Sequence, residues 1–196
     1  MQFADDNDIV SGIKSKDKSE QAFKILVEKY QKRLYMHIRK MVISHADTDD
    51  LLQETFIKAY RGIEKFREDS SLFTWLYRIA TNETLNFIKK KKRSYVFTAT
   101  DYEDQLILSL KGDEYFDGDK AEYKLQRAIL KLPEKQRLVF NMKYYDDLKY
   151  NEISEILKTS VGALKASYHH AVKKIEKIMM DESYKFILNA ESNDSI

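Results

Sequence analysis

The sequence predicts an all-α fold: two small helical domains joined by an acidic, flexible linker, the second containing a helix-turn-helix. Three observations carry this. Glycine and proline number only 5 and 1 among 196 residues, where ordinary usage of about 12% would give roughly 24, so turn-rich sandwiches and doubly wound sheets lack material for their turns. Apolar residues recur at helical spacing in two blocks, 21–93 and 121–181. Between them, residues 94–120 hold seven acids and two bases, a composition that favours a solvated connector. Residues 1–20 and 182–196 flank this plan as an N-terminal segment and a C-terminal tail.

Composition also limits the chemistry. The 34 Lys and Arg nearly cancel 32 Asp and Glu, leaving +2, so the placement of charge says more about partners than its sum. The absence of cysteine excludes disulfides, thiolate-held zinc and a thiol nucleophile. No apolar run reaches the ~18 residues of a membrane span. Asp5, Asp6 and Asp8 stand where a secretory leader would be basic, and a cytoplasmic protein is expected.

In the first block, Phe23, Leu26, Val27, Tyr30, Leu34 and Ile38 form one apolar stripe and Leu52, Phe56, Ala59, Tyr60 and Ile63 another. Asp47 is the expected cap of the second helix, with Asp49 and Asp50 in its first turn. A break at Phe66–Ser71 precedes a third helix over Thr74–Ile88. Leu76, Ile79, Ala80 and Phe87 pack inward, while Arg78, Asn82 and Asn86 recur every four residues on an exposed stripe. Five consecutive bases, Lys89 to Arg93, end the block. In the second block Pro133 opens a helix faced by Leu138, Val139 and Met142. A short helix over Tyr150–Leu157 then leads through Lys158 and Thr159 to Ser160, which caps a longer helix lined by Leu164, Tyr168, Val172, Ile175 and Met179. Short helix, tight turn and longer helix make the helix-turn-helix outline.

Three surfaces carry chemistry. Lys165, Ala166, His169, His170 and Lys173 share the outer side of the last helix, small and basic groups suited to a major groove and its phosphates. Adjacent histidines point about 100° apart on a helix, so His169 and His170 cannot share a metal ion, and no metal or other cofactor is expected. Arg78, Asn82, Asn86, Lys89 and Lys90, near Phe66, Phe73 and Trp75, combine charge, amides and aromatics as single-stranded nucleic acid requires. Asp49, Asp50, Gln53 and Glu54 present an acidic face, either solvated or a docking surface for a basic partner. An enzyme is not expected: phosphate-cradling glycine loops and an arguable nucleophile triad are absent, and Asp49, Asp50 and Glu54 lack a recognisable facing motif for magnesium.

The strings DTDDLLQETFIKAYRGIEKF (Asp47–Phe66) and FREDSSLFTWLYRIATNETLNFIKKKKR (Phe66–Arg93) closely resemble the promoter-melting domain of bacterial sigma factors, more narrowly the extracytoplasmic-function (ECF) subgroup of the sigma-70 family. The second block, with LPEKQRLVFNMKYYDDLKYNEISEILKTSVGALKASYHHAVKKI, is similar to that subgroup's second domain, in the expected order. The resemblance implies an alternative sigma factor that binds core RNA polymerase and directs promoter recognition, melting and initiation. It implies that Asp50, Gln53 and Glu54 dock on the clamp helices of the polymerase's largest subunit. The loop Phe66–Leu72, with Arg67 and Ser70, would capture a base flipped from the minus-ten element, Ile79 and Asn82 lining the pocket. Arg78, Asn86, Lys89 and Lys90 would hold that strand, while Lys165, Ala166, His169, His170 and Lys173 face the duplex minus-thirty-five element. The acidic linker resembles the family's connector through the polymerase, and relatives are commonly held inactive by an anti-sigma factor.

Departures from the family pattern bear on the second domain. Many relatives carry Gly at the turn position of Lys158, where a positive φ would strain a residue with a Cβ. They often have Arg at Ser167 and a further base at Val172, and loss of those charges points to a different or less tightly held upstream element. The competing reading is a helix-turn-helix regulator that binds duplex DNA without replacing a sigma subunit. It explains Tyr150–Lys174 and leaves the first block without a task.

Overall fold

The helical periodicity becomes nine α-helices in two regions among the described residues, 5–15, 17–95, 102–111 and 120–193 of this computed structural model. The first region holds α1 (Asp6–Lys14), α2 (Ser19–Val42), α3 (His45–Gly62) and α4 (Leu72–Tyr95). The second holds α6 (Lys120–Leu130), α7 (Glu134–Tyr144), α8 (Tyr150–Leu157) and α9 (Val161–Asn193), with α5 (Tyr102–Lys111) between them.

Helix α2 is the spine of the first region because its apolar stripe is nearly continuous: Leu26, Leu34 and Ile38 are fully buried and Tyr30 almost so. Burying each such side chain contributes about 1.5–3 kcal/mol. α3 and α4 pack on it with Phe56, Ala59, Ile63, Leu76 and Ala80 inside. Tyr60, expected in the core, lies instead at the edge of the α3 stripe and is 47% exposed. The α3 cap also differs from expectation: Ser44 Oγ accepts from the Asp47 N–H at 3.2 Å and the helix starts at His45. Asp47 is thereby inside the first turn, where its charge still favours the helix dipole.

The segments outside the two blocks also carry helices. The N-terminal segment contains α1, whose Ile9, Val10 and Ile13 are buried on α2. Its start is capped by Asp5, and Asp6 ties it down through Lys29 at 2.8 Å and the Tyr30 hydroxyl at 2.7 Å. The linker holds α5, whose Leu106 and Leu110 are buried. Their four-residue spacing supplies an apolar stripe that the surrounding acids obscure. The rest of the linker, 96–101 and 112–119, lies outside the described residues. The tail expected from residue 182 continues α9 to Asn193.

In the second region α7 supports α9, with Ile129, Leu132, Phe140, Ala171 and Ile175 in one cluster and Phe140 stacked on Tyr168 at 5.7 Å. Arg137 is fully buried beneath it, and its guanidinium donates to the Leu130 carbonyl at 3.3 Å. Pro133 precedes α7 as its N-cap residue. The turn between α8 and α9 forms as the sequence predicts. Ser160 Oγ accepts from the Ala163 N–H at 3.4 Å, and Lys158 adopts left-handed geometry at φ 53. A side chain with a Cβ is strained there by about 1–2 kcal/mol, part of which glycine loses again through its freer unfolded chain. Lys158→Gly is therefore expected to stabilise the chain by about 1 kcal/mol. An unchanged or lower denaturation midpoint would show that this turn stores no strain.

Candidate nucleic-acid interface

The acidic face of α3 is built by one helical stripe. Asp50 and Gln53 are exposed and Glu54 is half-buried, because Glu54 lies 3.6 Å from Lys58, which in turn reaches Glu83 on α4 at 2.5 Å. That hydrogen bond to Glu83 raises the Lys58 amine above its ordinary value. Gln53 also opens onto an apolar groove of about 460 Å³ lined by Phe23, Val27, Phe56, Ile57, Tyr60 and Arg61. The Phe23 ring meets Tyr60 edge-on at 4.9 Å, and Ile57 is 36% exposed. Sequence reading missed this groove because Tyr60 has the spacing of a core residue.

The second surface runs from the loop before α4 along that helix. Arg67, Asn82, Asn86, Lys89 and Lys90 are exposed, and Ser70, Arg78 and Ile79 half-buried. Phe66 and Leu72, expected against a captured base, are instead buried supports of the loop, with the Phe66 ring packed on Trp75 at 5.0 Å. The burial of Phe66 follows from its neighbour, since an apolar ring beside Trp75 gains more from contact than from water. The loop carries Glu68 at φ 62 and is held from α1: Lys14 Nζ donates to the Phe66 carbonyl at 3.2 Å and lies 3.7 Å from Glu68. Lys14 had no signal in the sequence, because the loop is 52 residues away. Within the basic run, Lys91 pairs with Asp47 at 3.6 Å and Lys92 with Glu134 at 3.7 Å. Lys89 and Lys90 are left pointing outward.

The third surface is the outer side of α9, where Lys165, Ala166, His169, His170 and Lys173 are all exposed. Tyr150 at the start of α8 lies below Lys165 and Lys143, each with its ammonium just under 6 Å from the ring centre. Tyr168 anchors the helix from behind, its hydroxyl pushed above the ordinary value first by burial and then by the neighbouring tyrosines.

These surfaces lie within two segments that match known family models. Residues 26–94 match the model of sigma-70 region 2, and residues 123–175 match that of sigma-70 region 4. Among curated relatives, the ECF RNA polymerase sigma factor SigW of Bacillus subtilis is 34% identical over 178 residues, 86% of this chain and 95% of SigW. The chain belongs to the ECF sigma factors of the sigma-70 family.

This sigma factor therefore binds core RNA polymerase and directs promoter recognition, DNA melting and transcription initiation. Its fold also resembles solved structures. CnrH, in complex with the cytosolic domain of CnrY, is 20% identical at a TM-score of 0.65, covering 90% of this chain and 99% of CnrH. The sigma factor RpoE, in complex with the anti-sigma factor NepR from Bartonella quintana, is 19% identical at a TM-score of 0.62, covering 81% of this chain and 96% of RpoE. The region 2 match spans α2 to α4 of this sigma factor, and the region 4 match spans α6 to the middle of α9. Among its described residues, no helix is long and apolar enough to cross a membrane.

Proposed function

We propose that this sigma factor divides initiation among the three surfaces. Asp50, Gln53 and Glu54, together with the groove between α2 and α3, dock on the polymerase. Arg67, Ser70, Ile79 and Asn82 receive a base flipped from the minus-ten element, with Phe66 and Leu72 shaping the loop from below. Removing a base from the stack costs a few kcal/mol, which stacking and edge contacts must offset. Arg78, Asn86, Lys89 and Lys90 hold the phosphates of that strand. Lys165, Ala166, His169, His170 and Lys173 read the duplex minus-thirty-five element from the major groove.

The observation that carries this reading is the exposure of the amide and basic stripe of α4 beside an acidic, groove-bearing α3, with a second basic helix on the other region. The polymerase performs the chemistry; this chain acts as a non-enzymatic subunit in the cytoplasm, with no cofactor of its own. The solved pairing of RpoE with an anti-sigma factor supports a protein inhibitor for this chain as well.

Mixing the purified protein with core RNA polymerase and a genomic fragment library is expected to yield a stoichiometric complex and new, specific start sites. Duplex binding without polymerase association would favour a plain helix-turn-helix regulator. A complex that initiates nowhere would overturn the assignment of the two DNA surfaces.

A further inference from the structure

The two regions pack against each other, and the seam has a charged centre. α7 lies on α2 and α8 on α4, and Leu138, Met142 and Ile153 join the same apolar core as Leu34, Ile38 and Met41. The turn after α7 inserts Asp146 into this seam, leaving its side chain 4% exposed. Asp146 Oδ2 lies 3.0 Å from His37 Nδ1, and its Oδ1 accepts from Lys40 Nζ at 2.9 Å. His37 is fully buried, with Nε2 3.0 Å from Thr81 Oγ1 on α4. Asn141 adds a 3.4 Å bond from its Nδ2 to the Lys40 carbonyl.

Both side-chain partners of Asp146 thus come from the other region, 106 and 109 residues away in the chain. A carboxylate is tolerated in such a place only when its charge and lone pairs are met. Burial alone would raise the Asp146 carboxyl, but the bond and charge of His37 and the charge of Lys40 outweigh burial and hold it below its ordinary value. The turn is shaped for this insertion: the Asp146 N–H bonds back to the Asn141 carbonyl at 3.1 Å, and Asp147 takes a left-handed φ of 50.

We propose that Asp146 is a hook that latches the helix-turn-helix region onto the His37–Lys40–Thr81 socket, holding the chain in a closed state unable to engage both promoter elements. α4 packs on α8 and α8 on α9, and two successive helix packings of about 8–10 Å place α4 and α9 within about 20 Å. Elements named for positions ten and thirty-five are ~25 base pairs apart, or roughly 85 Å of duplex at about 3.4 Å each. Promoter engagement therefore requires the hook to leave its socket. The latch stands on geometry alone, whereas its consequence at a promoter rests on the proposed roles of α4 and α9.

The absence of cysteine allows a direct test, with dyes on Lys32→Cys in α2 and Glu155→Cys in α8, both exposed positions. In the free protein, without polymerase or DNA, Asp146→Asn is expected to shift the population at least tenfold toward low energy transfer. Lys40→Met should do the same from the other side of the seam. The double variant should open no further than the more open single one, because the two groups act as one unit. Unchanged transfer in Asp146→Asn and Lys40→Met, both helical by circular dichroism, would overturn the latch. Opening by Asp146→Asn alone would also overturn it, since the carboxylate would then act within its own region. If Asp146→Asn fails to fold, Lys40→Met decides, because Lys40 is partly solvated and leaves a smaller defect. As a second readout, the opened variants should bind core polymerase more tightly, in proportion to the gain in open fraction.

Discussion

Gln53→Lys combined with Glu54→Gln is expected to weaken binding to core RNA polymerase by about 100-fold or more, with the helical spectrum unchanged. Gln53 is exposed at the rim of the apolar groove, so a lysine there reaches solvent in the free protein and costs the fold little. With α3 docking as proposed, the same ammonium replaces groups matched to the partner, and losing matched polar contacts at an interface typically costs about 2–5 kcal/mol, with about 1.4 kcal/mol per tenfold. Glu54 is changed to Gln rather than Lys because a second ammonium beside Lys58, 3.6 Å from the carboxylate, would add repulsion within the helix. Titration of labelled protein against core polymerase checks the result. Retained affinity would move the docking surface away from α3.

Asn82→Ala is expected to reduce promoter opening about tenfold or more while leaving binding to minus-thirty-five duplex unchanged. The amide is exposed on α4, one turn from Arg78 and one from Asn86, and its removal takes a donor and an acceptor from the strand without disturbing the core. An edge contact to an unstacked base and the stacking it supports contribute about 1–3 kcal/mol. Permanganate reactivity of unpaired thymines reads the effect directly. A footprint equal to that of the unaltered protein would exclude Asn82 from the pocket.

Much of the fold was legible because the apolar stripes are long and regular. Leu26, Tyr30, Leu34 and Ile38 are buried as their spacing requires, and so are Leu138, Val139 and Met142. A local capping rule also anticipated Ser160, and the family resemblance pointed to Lys158 as a strained turn residue. Errors arose where neighbouring signals compete. Asp47 was read as a cap because acids crowd that turn, whereas Ser44 performs the task. Tyr60 has core spacing but lies where α2 and α3 diverge, and so lines a groove. Leu106 and Leu110 were hidden by surrounding acids.

Exposed faces were legible where one helix carries the whole set, as α9 does for Lys165, Ala166, His169, His170 and Lys173. Residues joined across the chain left no periodic trace. Lys14 reaches a loop 52 residues away. His37 falls on the buried stripe of α2 but is polar, and its partner Asp146 lies 109 residues further on. No window of sequence contains both halves of such a pair. Phe66 shows the converse: the break at residues 66–71 follows from the sequence, whereas the inward turn of the Phe66 ring depends on its contact with Trp75.

The packing of α7 and α8 onto α2 and α4 has a consequence for how copy number acts. Two bodies on one chain meet at an effective concentration in the millimolar range, fixed by the span of the connector rather than by the amount of protein present. Closure of this kind is unimolecular and therefore survives dilution, unlike inhibition by a separate subunit, which fades as both components become scarce. A cell holding only a few copies would still find each one folded shut, and polymerase would have to supply the free energy of opening one molecule at a time.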